Sequence, residues 1–288
     1  MRVKIAPEFI WRKLRQWVHQ RHYRLFKLGW YKVPRQPLAN FPNGMSITHI
    51  ANTGVTAIDN FCTLEEAQHF IATAGTKVEP SAVLVDGGKL VQSEGRTSQS
   101  SFMSLGSSDA TSQNIIFRAA SVFGLPVSYC ERMSITRYGE GEYYKAHLDY
   151  DDTFGADRMY TCLIYLSELT DAQGGGTWFS KLNLLARPKL GRAICWVNTD
   201  PDGQRHPETH HAALPPVGEG IEKWVVQLWF RGYPKTRGML RPVPLPGIQG
   251  EALGPSAVLP DGVKHSGELT YDNAYTVPGL TEEAQRRR

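Results

Sequence analysis

At 288 residues, 41% hydrophobic and 21% charged, the chain has the composition of a globular protein, long enough for one large domain or two small ones. No run of eighteen apolar residues exists, which excludes a spanning helix, and the N-terminus lacks the apolar stretch of a secretory signal, so a cytoplasmic location is expected. The net charge of +4 is uneven: residues 1–36 carry ten Lys or Arg against Glu8 alone, while the rest has 22 basic and 27 acidic residues, so basicity belongs to one end.

Four zones follow in chain order. Residues 1–44 form a basic N-terminal segment ending in Pro34, Pro37 and Pro42. Within it Ile10, Leu14, Trp17, Leu25 and Leu28 recur near helical spacing with Arg and Lys on the other face. Such a helix packs its stripe on the rest of the protein, or makes peripheral contact with a membrane or a nucleic acid. Residues 45–130 mix helices and strands. Thr63 and Glu66 spell a capping box that starts a helix through Ala74, and Asp109 starts a second helix stopped by Gly124-Leu125-Pro126. Segments 81–85 and 102–105 read as strands around a polar loop, 86–101.

Residues 131–233 read as successive short strands, at 134–138, 143–148, 159–166, 177–179, 193–197 and 224–230, separated by Gly, Asp, Asn and Pro turns. That spacing predicts a mainly β domain with flanking helices, a sandwich or jelly roll. Residues 234–288, rich in Pro and Gly, are expected to form an extended tail that wraps the domain or is partly disordered. The four cysteines form no C-x-x-C pair, which excludes a zinc ribbon and favours free thiols, with a disulfide left open.

The chemistry lies in the third zone. In His147-Leu148-Asp149, strand alternation puts both ligating side chains on one face, where they can reach one metal. A third ligand is available from His206, His210 or His211. Two histidines and a carboxylate on one face leave the opposite face of an octahedral iron open. On the segment that opens with Lys223, alternation separates Lys223, Val225, Gln227 and Trp229 from the purely apolar Trp224, Val226, Leu228 and Phe230.

Between and around these ligands come Arg158-x-x-Thr161-x-x-x-Tyr165-Leu166, Gly174-Gly175-Gly176-Thr177-Trp178-Phe179, Pro188-Lys189-Leu190-Gly191, Pro216-Val217 and Lys223-Trp224, then Trp229. Upstream stand Asn60-Phe61, Arg96-Thr97-Ser98 and Tyr138-Gly139-x-Gly141. In order and spacing these motifs resemble the catalytic domain of the prolyl 4-hydroxylases, within the 2-oxoglutarate oxygenase superfamily, over residues 58–231. The resemblance implies a double-stranded β-helix at 131–233 inside an oxygenase domain at 45–233. It implies Fe(II) on His147, Asp149 and His211, with O2 and 2-oxoglutarate consumed and ascorbate as the expected reductant. His211 is preferred to His210 because His211-Ala212 and the Pro-Val after it fit the family pattern. Lys223 would pair with the far carboxylate of 2-oxoglutarate, Tyr165 would donate a hydrogen bond to it, Thr161 would line that pocket, and Tyr138 would lie near the iron-bound end. Tyr144, Trp229, Arg231 and Arg96 match substrate-side positions, and glycine at 176 would widen the substrate mouth. The implied substrate is a prolyl residue in a peptide or protein. Hydroxylation of a free amino acid or other small molecule is the alternative, and a non-catalytic metal-binding jelly roll is the reading from another class.

Overall fold

The structure, a computed structural model, describes residues 42, 44–50, 53–75, 77–85, 89–103, 109–150, 158–199, 205–231, 261 and 263–265. The expected basic helix in 1–44 and nearly all of 234–288 lie outside the described residues.

Along the chain come β1 (Ser46–Ile50), β2 (Val55–Asp59), α1 (Leu64–Ala74), β3 (Glu79–Pro80), β4 (Ala82–Val85), β5 (Lys89–Gln92), β6 (Gln99–Met103) and α2 (Ala110–Phe123). The second half holds β7 (Met133–Tyr138), β8 (Tyr144–His147), β9 (Arg158–Tyr165), β10 (Thr177–Phe179), β11 (Leu184–Ala186), β12 (Ala193–Val197), β13 (His211–Ala213), β14 (Lys223–Arg231) and β15 (Val263–His265). An eight-stranded sheet runs β1-β2-β12-β9-β14-β7-β6-β3, and a five-stranded sheet runs β15-β11-β10-β13-β8. Strands β7 to β10 alternate between the two sheets, as do β11 to β14, so the chain winds as a double-stranded β-helix.

Alternation along β14 divides the core into two layers. Val226, Leu228 and Phe230 join Phe70, Ile115, Ile116 and Ile164 between the large sheet and the two helices. Val225 faces the space between the sheets with Leu163, Tyr165, Phe179, Ile194 and Trp196. The helices are fixed by their sequence signals. Glu66 N–H donates to Thr63 Oγ1 at 3.2 Å and Thr63 N–H to Glu66 Oε2 at 2.9 Å, which closes the expected capping box. Glu66 also takes both arms of the buried Arg118 at 2.9 Å, which ties α1 to α2. Asp109 caps α2, and Gly124 ends it at φ +64°, a conformation that favours glycine.

Two expectations are corrected. The polar loop at 86–101 contains β5, paired with β4 in a hairpin, and the start of β6. The strand expected at 102–105 begins at Gln99, because Ser100 and Ser101 build it with hydroxyl-bearing side chains that carry no apolar signal. The tail contributes β15, which pairs with β11 and so extends the small sheet. All four cysteines are free and buried.

Candidate active site

His147 ends β8 and His211 opens β13, and the two are register partners in the small sheet. Asp149 follows two residues beyond His147. One ligand atom from each of His147, Asp149 and His211 lies within 4.8 Å of the others. Each ring is oriented by its own backbone: His147 Nδ1 stands 2.8 Å from Lys145 O and His211 Nδ1 2.9 Å from Thr209 O. A carbonyl can only accept, so both Nδ1 atoms carry the proton and both Nε2 atoms keep a lone pair. Those two Nε2 atoms are buried and have no hydrogen-bond partner. Asp149 Oδ1 faces them at 3.5 and 3.9 Å, beyond hydrogen-bond length. Unpaired lone pairs of this kind are costly unless a cation takes them, so the donor set fits a divalent metal of the iron type.

The other oxygen of Asp149 is fully engaged. Thr161 Oγ1 donates to Oδ2 at 2.7 Å, Trp229 Nε1 donates to it at 3.0 Å, and Asn198 Nδ2 donates to Thr161 Oγ1 at 2.8 Å. Burial would raise the Asp149 carboxyl, but His211 and His147 outweigh it and hold the group well below the usual carboxylate range. Burial, reinforced by His147, lowers His211 to about 4. Asp149 as carboxylate and His211 as neutral imidazole are the states that metal binding requires. Each ligand also meets aromatic side chains, His211 two of them, Trp196 and Phe179. Tyr144 stacks on His147 at 3.6 Å between centroids, Trp196 meets His211 edge-on at 4.6 Å, and Trp229 donates to Asp149.

A narrow cleft opens beside the triad, lined by Tyr138, Tyr144, His147, Thr177, Lys223 and Gln227 among others. Lys223 is 1% exposed. Its ammonium donates to Leu214 O at 3.1 Å and lies 4.0 Å from the centroid of the Tyr138 ring. No carboxylate among the described residues pairs with it, and burial pulls its pKa down to about 7. A buried cation facing a cleft without a counter-ion is a seat for an anion.

The expected residues are thus brought together unevenly. Lys223, Tyr138 and Tyr144 line the cleft as expected, and the Arg96 guanidinium lies 4.7 Å over the Tyr144 ring. Thr161 and Trp229, expected beside cosubstrate and substrate, are placed with their polar atoms on Asp149. Arg231 is 4% exposed and ion-paired through Nε with Glu131 Oε1 at 2.7 Å, a carboxylate it shares with Arg158. The Tyr165 hydroxyl lies 2.6 Å from Thr177 Oγ1 and 3.0 Å from Ala186 O, so Thr177 is the cleft-lining member of that pair. His210 is half-buried and bonded to Ser180 Oγ at 3.2 Å, outside the triad. A side chain at Gly176 would meet Leu185 Cδ1 at 2.7 Å and Ala186 O at 3.1 Å, so this glycine serves sheet packing and does not widen a mouth. Sequence reasoning assigned no role to Thr177, Asn198, Trp196 or Gln227. Only alternation along β14, which puts Gln227 on the face of Lys223, carried a signal for any of them.

Residues 133–231 match the family model described as the 2OG-Fe(II) oxygenase superfamily. Probable prolyl 4-hydroxylase 7 of Arabidopsis thaliana is 32% identical over 196 residues, 60% of this chain and 60% of that protein. Prolyl 4-hydroxylase subunit alpha-1 of Rattus norvegicus is 34% identical over 153 residues, 50% of this chain and 28% of that one. The chain therefore spans less than two thirds of these relatives. Among solved structures, the 2OG complex of a viral collagen prolyl hydroxylase from Paramecium Bursaria Chlorella virus-1 shares the fold, with a TM-score of 0.51 and 24% identity over 62% of this chain and 97% of that one. The two sheets wind as in that oxygenase fold, and residues 133–231, which hold the His-Asp-His triad, are similar to the 2OG-Fe(II) oxygenase superfamily. The relatives it resembles over that span are named prolyl 4-hydroxylases.

Proposed function

We propose that the chain is an Fe(II)- and 2-oxoglutarate-dependent dioxygenase that hydroxylates prolyl residues of a peptide or protein. One observation carries this reading: the orphaned Nε2 atoms of His147 and His211 and the unpaired ammonium of Lys223 face one cleft. A metal seat and an anion seat side by side suit a cosubstrate that is both chelator and dicarboxylate.

His147, Asp149 and His211 would hold the iron, and Lys223 the far carboxylate of 2-oxoglutarate. Iron supplies the oxygen chemistry when bound, and the chain supplies position and electrostatics. Thr161 and Trp229 fix the Asp149 carboxylate so that Oδ1 alone is presented to the metal. Lys223, at the start of β14, anchors the cosubstrate at a fixed distance from the triad and gains back its proton on binding the dianion. Tyr144, stacked on His147 and covered by Arg96, closes the outer side of the cleft, where a substrate ring would approach. The prolyl substrate rests on the printed names of the relatives, prolyl 4-hydroxylases and a collagen prolyl hydroxylase.

Succinate formation from 2-oxoglutarate tests it, with Fe(II), ascorbate and a panel of proline-containing peptides, and His147→Ala as control. The expected result is peptide-stimulated succinate that His147→Ala abolishes. His147-dependent succinate that no peptide stimulates would move the substrate to small molecules. No succinate from iron-loaded protein would overturn the enzyme reading in favour of a metal-binding module.

A further inference from the structure

None of the four cysteines lines the cleft, yet all four are buried. Cys62, Cys130, Cys162 and Cys195 stand far apart in sequence and share the core layer between the large sheet and the two helices. Two of them face each other across neighbouring strands. Cys162 on β9 and Cys195 on β12 are register partners, 0% and 2% exposed.

Hydrogen bonds at both ends of this ladder fix what kind of partners they are. Tyr165 N–H donates to Arg192 O at 2.9 Å and Asn198 N–H to Met159 O at 2.8 Å, each between residues opposite in that register. Bonded and non-bonded pairs alternate along an antiparallel ladder, so Met159, Thr161, Leu163 and Tyr165 stand in bonded pairs and Cys162 in a non-bonded one. A non-bonded pair brings its Cα atoms to about 4.5 Å and its side chains closest together. That spacing falls within the span of roughly 4.4–6.8 Å that a disulfide bridges, so the two strands can take the bond as they stand. The thiols already touch: burial, then the hydrogen bond with Cys195, keeps the Cys162 thiol well above its ordinary pKa. Cys62 and Cys130 are placed differently. Cys62 Sγ donates to Thr63 O at 3.5 Å, and Cys130 stands opposite Phe230.

We propose that Cys162 and Cys195 are a disulfide-forming pair, closed by exchange with a low-molecular-weight disulfide as the chain folds, which staples β9 to β12 behind the metal site. One cysteine thiolate attacks the sulfur–sulfur bond of the oxidant and releases a thiolate from it. The second cysteine, having lost its proton, attacks the mixed disulfide and releases the other. The pair loses two electrons and two protons, and the oxidant takes them up as two thiols. In the finished fold the pair is shielded, because Cys162 keeps its proton and both side chains are buried. Its state is therefore set during folding and kept afterwards. Thr161 and Trp196, the adjacent register pair, turn to the opposite face, where Thr161 holds Asp149 and Trp196 meets His211. The staple thus lies directly behind two supports of the triad, whichever reaction the site performs.

Refolding the full chain from denaturant and reductant into a glutathione redox buffer tests the proposal. Trypsin leaves Cys162 on residues 159–181 and Cys195 on residues 193–205, so mass spectrometry reads the bond directly. The expected result is an intact mass lower by two hydrogens, with those two peptides linked and Cys62 and Cys130 still thiols. The bond closes a loop between positions 162 and 195, and should lower the unfolding equilibrium constant roughly 100-fold. The linked form should bind Mn(II) as the reduced form does, and protein kept folded throughout should resist the same buffer. Cys162→Ala and Cys195→Ala should each abolish the mass change, and Cys62→Ala should leave it. If one variant fails to fold, the other decides, and cell-free synthesis in the same buffer gives a route that needs no refolding. Thiols at both positions after oxidative folding would overturn the proposal, as would a link from Cys162 to Cys62 or Cys130. A Cys162–Cys195 link that costs the protein the Mn(II) binding of its reduced form would overturn it too, since the bond would then not fit the native strands.

Discussion

Asp149 shows how much of the site is built from side chains that touch no ligand. A buried carboxylate with one free oxygen is useful only if the other oxygen is held, and Thr161 and Trp229 hold it. Thr161→Val keeps the shape and removes the hydroxyl, which frees Asp149 to rotate and strips Asn198 of its acceptor. The expected outcome is a Kd for Fe(II) or Mn(II) raised by about tenfold or more, the usual cost of losing a partner of a metal ligand. Metal titration followed by intrinsic fluorescence or Mn(II) magnetic resonance would measure it, and an unchanged Kd would show that Trp229 alone suffices. The sequence made the ligands legible and mislaid their supports for a definite reason. His147 and Asp149 lie two apart in an extended segment, so their convergence follows from local geometry. Thr161, Asn198 and Trp229 meet through three strands, and no local pattern distinguishes a threonine that faces a cosubstrate from one that faces a carboxylate.

At the scale of elements, the strands that sequence pattern found are those long enough to alternate: β7, β9, β12 and β14 have five to nine residues each. The three-residue β10 was still legible between its glycines and the turn after it, but β11 and β13, also of three residues, are too short for a period to show, and β15 is a Val-Lys-His triplet in a Pro- and Gly-rich tail. The serine-rich start of β6 was missed because burying hydroxyls leaves no apolar stripe: Ser100 pairs with Ser81 at 2.6 Å and Thr136 at 2.9 Å inside the sheet. The far ends of β9 and β14 are joined by charge. Glu131 lies 2.6 Å from Arg158 Nε and 2.7 Å from Arg231 Nε, and the two arginines are register partners. Burial pushes the Glu131 carboxyl up, but the two guanidinium groups outweigh it and hold the pKa below its ordinary value. Its stabilisation is therefore present above the usual carboxylate pKa and lost as pH falls through the lowered one. Glu131→Gln removes the carboxylate that the half-buried Arg158 and the buried Arg231 share and should destabilise the fold by up to about 3 kcal/mol in denaturant titration. Arg158 lies 4.3 Å over the Trp229 ring, so metal affinity should weaken in the same variant. A loss of stability with metal affinity intact would separate this network from the site.

For the whole molecule, the barrel carries a standing penalty that its ligand relieves. Lys223 sits near the interior layer of the two sheets with no carboxylate among the described residues, and burial brings its pKa from 10.5 to about 7. Between those values the unfolded chain binds a proton that the folded chain does not, so this group makes stability rise with pH across the window. Below about 7 the ammonium is charged in both states and its burial cost is at its full value. Lys223→Met should flatten that rise, and the wild-type minus variant slope should approach 1.4 kcal/mol per pH unit, the limit for one proton. The cosubstrate must act in the opposite sense. On the proposed reading 2-oxoglutarate binds the protonated lysine, so above pH 7 each unit of pH should weaken binding by up to tenfold, accompanied by uptake of one proton. Calorimetry in two buffers of different ionisation enthalpy at pH 8 would count that proton. Zero uptake, or affinity unchanged between pH 7 and 9, would place the far carboxylate somewhere other than Lys223. On that reading stability and affinity report one buried charge: the ammonium that weakens the empty barrel is the group that draws 2-oxoglutarate into it.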